Sequence, residues 1–121
     1  MSDVTINIKR GPYRKDYFPY SGDTFTDGFY LTSAGVAIDL TGSTFKMRIV
    51  KVLDGTVPHT LTIGSGIVVV SNLVTFVLSA AQMESLAVTK YKYDLRWTRA
   101  DTTVKTLIAG FIYPNDDVTP P

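Results

Sequence analysis

The side chains able to do acid–base, nucleophilic or metal chemistry are few in this sequence and stand apart. The one His, His59, follows Pro58 in an apparent loop with no His or Cys nearby. An imidazole needs companions to act as a ligand or general base, so His59 reads as a surface residue. The absence of Cys excludes disulfides, thiolate metal sites and Cys nucleophiles. Ser65, in Gly64-Ser65-Gly66, falls one residue short of a nucleophile elbow and lies in a hairpin context. The same tripeptide lacks the Lys and the following helix of a phosphate-binding loop. The eleven acids are spread singly, Asp116-Asp117 being the adjacent pair. A glycosidase needs two carboxylates across a cleft, and calcium needs several oxygens from one loop, a spacing that Asp23, Asp27 and Gly28 do not have. The sequence therefore predicts no catalytic residue, no bound metal, no cofactor and no enzyme activity.

What stands out instead is a segment suited to contact. Residues 9–20 hold Lys9, Arg10, Arg14 and Lys15 interleaved with Tyr13, Tyr17, Phe18 and Tyr20. They follow no strand or helix period, so the segment reads as a long loop or arm, a feature that is uncommon in compact domains and often functional. Three readings are open. The rings fold back onto the domain, or they meet a protein partner, since Tyr, Phe and Arg are enriched at interface hot spots, or they stack on single-stranded nucleic acid. The partner-contact set is Arg10, Tyr13, Arg14, Tyr17, Phe18 and Tyr20, and the arm is expected to be ordered by a neighbouring subunit.

The elements that would carry this arm are strands. Val36, Ile38 and Leu40 alternate with Ala37 and Asp39; after Thr41-Gly42, Phe45, Met47 and Ile49 alternate with Lys46 and Arg48. Successive strand side chains point to opposite faces, so both halves read as strands with one buried face, and Gly42 marks the bend between them. Val4 to Ile8, Asp23 to Leu31, Thr60 to Ile63, Ile67 to Val70, Val74 to Leu78, Lys90 to Thr98 and Val104 to Tyr113 continue the pattern. Ser71-Asn72 is the tip of a tight hairpin, and Asp54-Gly55 is a turn. Tyr91, Tyr93, Leu95 and Trp97 share one face and read as core, with a sugar-binding platform as the alternative for the aromatics. Leu107, Ala109 and Phe111 are placed on one face of the last strand, and Phe45, Met47, Leu95, Trp97 and Phe111 are the expected core. One helical turn is predicted at 79–86, where Ser79 and Gln82 have capping-box spacing. Strands recurring at such short intervals predict an all-β fold, an antiparallel immunoglobulin-like β-sandwich of about eight strands with one short helical turn.

At 121 residues with 45% apolar content, the chain is expected to form a single domain over 1–121, with the arm at 9–20 and a short tail at 114–121. A net charge of +1 gives no global attraction to nucleic acid or acidic lipid. Met1-Ser2-Asp3-Val4 has no basic start leading to an apolar run, so no signal peptide is predicted. Apolar runs such as Ile67-Val68-Val69-Val70 are too short to span a bilayer, and no membrane partner is predicted.

The order of the motifs carries a resemblance. Gly22-Asp23-Thr24-Phe25 opens a strand, and Asp39-Leu40-Thr41-Gly42 precedes Phe45-Lys46-Met47-Arg48. A Gly-rich hairpin follows, then Leu78-Ser79-Ala80-Ala81-Gln82, Tyr91-Lys92-Tyr93-Asp94-Leu95, Leu107-Ile108-Ala109-Gly110 and Asp117-Val118-Thr119. This set, over roughly residues 21–119, resembles the small β-sandwich domains of tailed-bacteriophage baseplate and tail proteins, similar to the N-terminal domain of the baseplate upper protein. The resemblance implies structural roles only: Gly42 at a bend, Gln82 in the capping box, Asp94 accepting backbone hydrogen bonds, Gly110 allowing close backbone packing. It implies a non-enzymatic virion structural protein, in the tail, baseplate, connector or head decoration. Such a protein is synthesised in the host cytoplasm, is oligomeric in the particle and has other virion proteins as partners; nucleic acid is not an expected partner. The alternative is a carbohydrate- or receptor-binding module of the particle.

Overall fold

A computed structural model describes residues 4–7 and 12–115. The chain is all-β apart from one short helix. Its strands are β1 (Val4–Asn7), β2 (Tyr13–Arg14), β3 (Phe25–Ser33), β4 (Val36–Ala37), β5 (Thr44–Lys51), β6 (His59–Ile63), β7 (Gly66–Val70), β8 (Leu73–Leu78), β9 (Tyr91–Thr98) and β10 (Val104–Ile112), with α1 (Ala80–Glu84) between β8 and β9.

The clearest alternation builds the centre. Phe45, Met47 and Ile49 of β5 and Tyr91, Tyr93, Leu95 and Trp97 of β9 point inward, while Lys46, Arg48, Lys92 and Arg96 point to solvent. The two strands pair antiparallel along their length, from Thr44↔Thr98 to Lys51↔Tyr91. The helix starts as its sequence predicts: Ser79 accepts from the Gln82 N–H, and the Gln82 side chain accepts from the Ser79 N–H.

All ten strands belong to one sheet in the order β1-β3-β8-β7-β6-β5-β9-β10-β2, with β4 paired to β3. The sheet curls around a single apolar cluster and is nearly barrel-shaped. The expected all-β class holds, but wholly antiparallel pairing does not. Three pairs are parallel: β1 with β3, β2 with β10, and β6 with β7. The first two arise because both N-terminal strands lie beside strands running their own way. The third is a corner of the chain at Gly64-Ser65-Gly66, where Thr62 pairs with Gly66 and Ile63 with Ile67. Gly66 has φ +99° there, and a Cβ would stand 2.6 Å from Leu61 Cδ2, so any other residue would be strained and would have to displace Leu61.

Two further details depart from the simple alternation. The first strand of the 36–50 pair stops after Ala37, because Asp39 Oδ1 accepts from both the N–H and the hydroxyl of Thr41 and turns the chain. Val36 is exposed rather than buried. In β10 the register with β9 shifts between Thr106 and Ile108. This bulge sends both Leu107 and Ile108 into the core and reverses the alternation beyond them. Phe45, Met47, Leu95 and Trp97 are buried as predicted, but Phe111 lies on the outer side, half-buried, with Lys90 Nζ 4.1 Å from its ring centre.

Candidate functional site

The described part of the arm, residues 12–20, is built into the chain's own sheet rather than left to a neighbour. Tyr13 and Arg14 pair with Ile108 and Ala109 as a parallel strand. The ladder continues through Lys15 N to Ala109 O (3.1 Å), Tyr17 N to Phe111 O (2.9 Å), Tyr113 N to Tyr17 O (2.9 Å) and Asn115 N to Pro19 O (2.9 Å). Asp16 Oδ1 accepts from the Phe111 N–H at 2.9 Å. Pro12 and Pro19, which have no N–H to give, sit where an edge strand tolerates them. Gly110 faces this strand so closely that a Cβ would collide with the Lys15 carbonyl oxygen. The close-packing role implied for Gly110 is thus filled by the arm itself.

The arm's anchor is a buried carboxylate on the far side of the seam. Asp27 of β3 is 4% exposed. Its Oδ2 accepts from Lys15 Nζ at 2.8 Å and from the Tyr17 hydroxyl at 2.7 Å, and its Oδ1 accepts from the Gly28 N–H at 2.9 Å. Buried charge is stable only when paired and hydrogen-bonded in this way. The Tyr17 ring packs edge-on against Phe25 and Phe76, with centroids 4.9 and 5.9 Å apart. Burial, followed by the hydrogen bond to Asp27, pushes the Tyr17 phenol far above its ordinary value. Burial likewise raises Tyr93, whose hydroxyl donates to the Lys15 carbonyl. Tyr17 therefore stays a neutral donor. Both carboxylate oxygens accept from donors of the same chain, so the cluster clamps the arm to the core.

The predicted contact residues divide accordingly. Tyr17 lies inside, and Arg10 lies outside the described residues. Tyr13, Arg14, Phe18 and Tyr20 face out, with Phe18 64% and Tyr20 50% exposed. Phe18 stacks on Tyr113 at 5.1 Å and 10°, and Tyr20 bridges to Asn115. Sequence reasoning passed over Lys15, Asp16 and Asp27 as parts of this arrangement. A signal for Asp27 was present: it occupies an inward position in the run Phe25, Asp27, Phe29, Leu31, where an acid needs a partner.

Other chemical candidates are placed singly. His59 Nε2 lies 3.1 Å from the Gln82 carbonyl oxygen and 3.2 Å from Ser85 Oγ, tying α1 to β6. Ser65 is exposed at the glycine corner, its backbone bonded both ways to Thr62. Asp94, read as an acceptor of backbone hydrogen bonds, lies on the outer face with Arg96 Nε at 3.7 Å. Asp116 and Asp117 are outside the described residues. Among the described residues, no three His, Asp or Glu side chains are grouped to hold a metal, and no helix is long and apolar enough to cross a membrane. Tyr91, Tyr93 and Trp97 are buried, so they present no platform to a sugar. No protein-family model matches this sequence, and no curated protein matches it at a significant level.

Proposed function

We propose that this chain is a non-enzymatic structural component of a tailed-bacteriophage particle, an assembly module in its tail, baseplate, connector or head decoration. The ordered motif set from Gly22-Asp23-Thr24-Phe25 onward, which resembles baseplate and tail sandwich domains, supports the virion setting. An immunoglobulin-like layering of strands over one core belongs to the same reading, with the parallel pairs as departures from it. The single observation that carries the assembly role is the way the arm is held. Lys15 and Tyr17 are fixed to Asp27, while Phe18 and Tyr20 are kept half or more exposed. Apolar rings presented on an ordered edge lose little conformational entropy on docking, which favours a protein contact. Other virion proteins, including further copies of this chain, are the proposed partners. The carbohydrate-binding alternative has lost the Tyr91, Tyr93 and Trp97 stripe it rested on.

Mass spectrometry of purified phage particles encoded with this reading frame tests the setting, and a Phe18→Ala/Tyr20→Ala variant tests the contact. The protein is expected in the particles at a fixed ratio to the other components. The double variant should fold, because both rings are exposed, yet enter particles poorly. Absence of the protein from particles, or normal entry of the variant, would overturn the reading.

A further inference from the structure

The outer face of β5, β9, β10 and β2 is rich in cations. Cross-strand partners form three rows: Lys46, Arg96 and Thr106; Arg48, Asp94, Ala109 and Arg14; Val50, Lys92 and Phe111. The five cations are exposed, with two carboxylates beside them, Asp94 in the middle row and Asp16 against Phe111. Five of the chain's twelve Lys and Arg residues thus stand together on this face, in a chain whose net charge is only +1. Arg14, Arg48, Lys92, Asp94 and Phe111 line a shallow concavity of about 490 Å³. Among the described residues, Arg14, Lys46, Arg48 and Lys92 make no ion pair on this face. Lys46 and Arg96 stand directly opposite each other, an arrangement that destabilises a sheet. A face that keeps such repulsion fits an anionic partner that relieves it.

We propose that this face docks an acidic polypeptide in extended conformation, with carboxylates at alternate positions. Side chains two residues apart on an extended peptide are about 7 Å apart, the same repeat that separates Lys46 from Arg48 on β5. Arg guanidiniums also match carboxylates in two-pronged geometry. Small or apolar Val50 and Ala109 between the charges give the apolar floor of a protein interface. A nucleic-acid strand fits less well. Its bases need open ring faces beside the cations, but Lys90 covers Phe111. This inference uses the sheet face and stands independently of the virion reading.

The test is fluorescence anisotropy with the purified full chain at low salt. Its probes are a labelled peptide of alternating Glu and Ser, a peptide of the same composition with its Glu in one block, and an oligothymidylate of equal charge. The alternating peptide is expected to bind most tightly, with affinity falling as salt rises. Arg48→Glu/Lys92→Glu should weaken it by about tenfold or more. The neutral Arg48→Gln/Lys92→Gln variant repeats the measurement without added repulsion, so a misfolded reversal variant does not decide the result. No binding of the alternating peptide, equal binding of the block peptide, tighter binding of the oligothymidylate, or full affinity in the neutral variant would each overturn the proposal.

Discussion

The curled sheet is joined in two places, and the two joints are made of different things. At the corner between β6 and β7 the chain itself turns, with Gly66 in a left-handed conformation and the backbones of Thr62 and Ser65 bonded to each other. At the arm, β10 pairs through its backbone with residues 13–19, and these run on through residues 21–24 into β3. Buried side chains brace that link: Lys15 and Tyr17 reach from the strand beside β10 to Asp27 on β3, and the Tyr17 ring fills the space against Phe25 and Phe76. The first joint rests on backbone conformation alone; the second adds to its backbone ladder a buried cluster of three side chains, Lys15, Tyr17 and Asp27.

The comparison predicts that the side-chain joint is the more costly to break. Tyr17→Ala removes a large core ring and should cost about 3–5 kcal/mol in a denaturant melt. A loss below about 1 kcal/mol would mean that the seam contributes little and would erase the contrast. Asp27→Ala leaves Lys15 and the Tyr17 hydroxyl without their acceptor, and about 3 kcal/mol is expected. Amide exchange at Tyr17, Tyr113 and Asn115 should accelerate in this variant while exchange in β5 and β9 changes less. Uniform acceleration would show instead that the seam and the core open as one unit. At the corner, Gly66→Ala combines an unfavourable φ with contact against Leu61, and about 1–3 kcal/mol is expected. A larger loss than for Tyr17→Ala would reverse the ranking.

The smallest expected effect is on pH dependence. Burial first, then the bond to Asp27, raises the Tyr17 phenol above its ordinary value, and burial raises Tyr93. Below the ordinary phenol value near 10, both folded and unfolded chains hold these protons, and the stabilisation is complete. Above it the unfolded chain releases protons that the folded chain keeps, so stability falls as pH rises. Tyr17→Phe should flatten this alkaline decline in melts followed from about pH 8 to pH 11, whereas Gly66→Ala should leave its slope unchanged. Equal slopes in wild type and Tyr17→Phe would remove the seam from the explanation.

The legible parts of the fold are those where one local rule decides. The two-residue period of β5 and β9 names their buried faces, Ser79 and Gln82 name the helix start, and Ser71-Asn72 names a hairpin tip. The bulge at Leu107 is not written in that way. An extra residue in β10 is detectable only against its partner β9, so Phe111 takes the face opposite to the one its spacing suggests. The arm was recognisable as unusual but not as a strand, because its pairing depends on β10, which follows it by some ninety residues. Gly64-Ser65-Gly66 announces a turn, yet not that the strands on either side run parallel. Of the contact set, composition picked out the exposed Tyr13, Arg14, Phe18 and Tyr20. It could not separate them from Tyr17, whose burial is set by a carboxylate on another strand.

The position of the arm also bears on the order in which the molecule can form. The partners at the glycine corner are neighbours in sequence, so that corner can close as soon as β7 exists. The hydrogen bond from Phe111 to Asp16 spans 95 residues, and closing so long a loop carries an entropic penalty before any contact offsets it. During synthesis, residues 12–20 have no strand to join until β10 has left the ribosome. The rings of Tyr13, Phe18 and Tyr20 then wait in water through most of translation, whereas Tyr17 can already meet Phe25 and Asp27. Pairing of the arm with β10 is accordingly expected to be the last event in folding, and the step most exposed to competition from other unpaired strands.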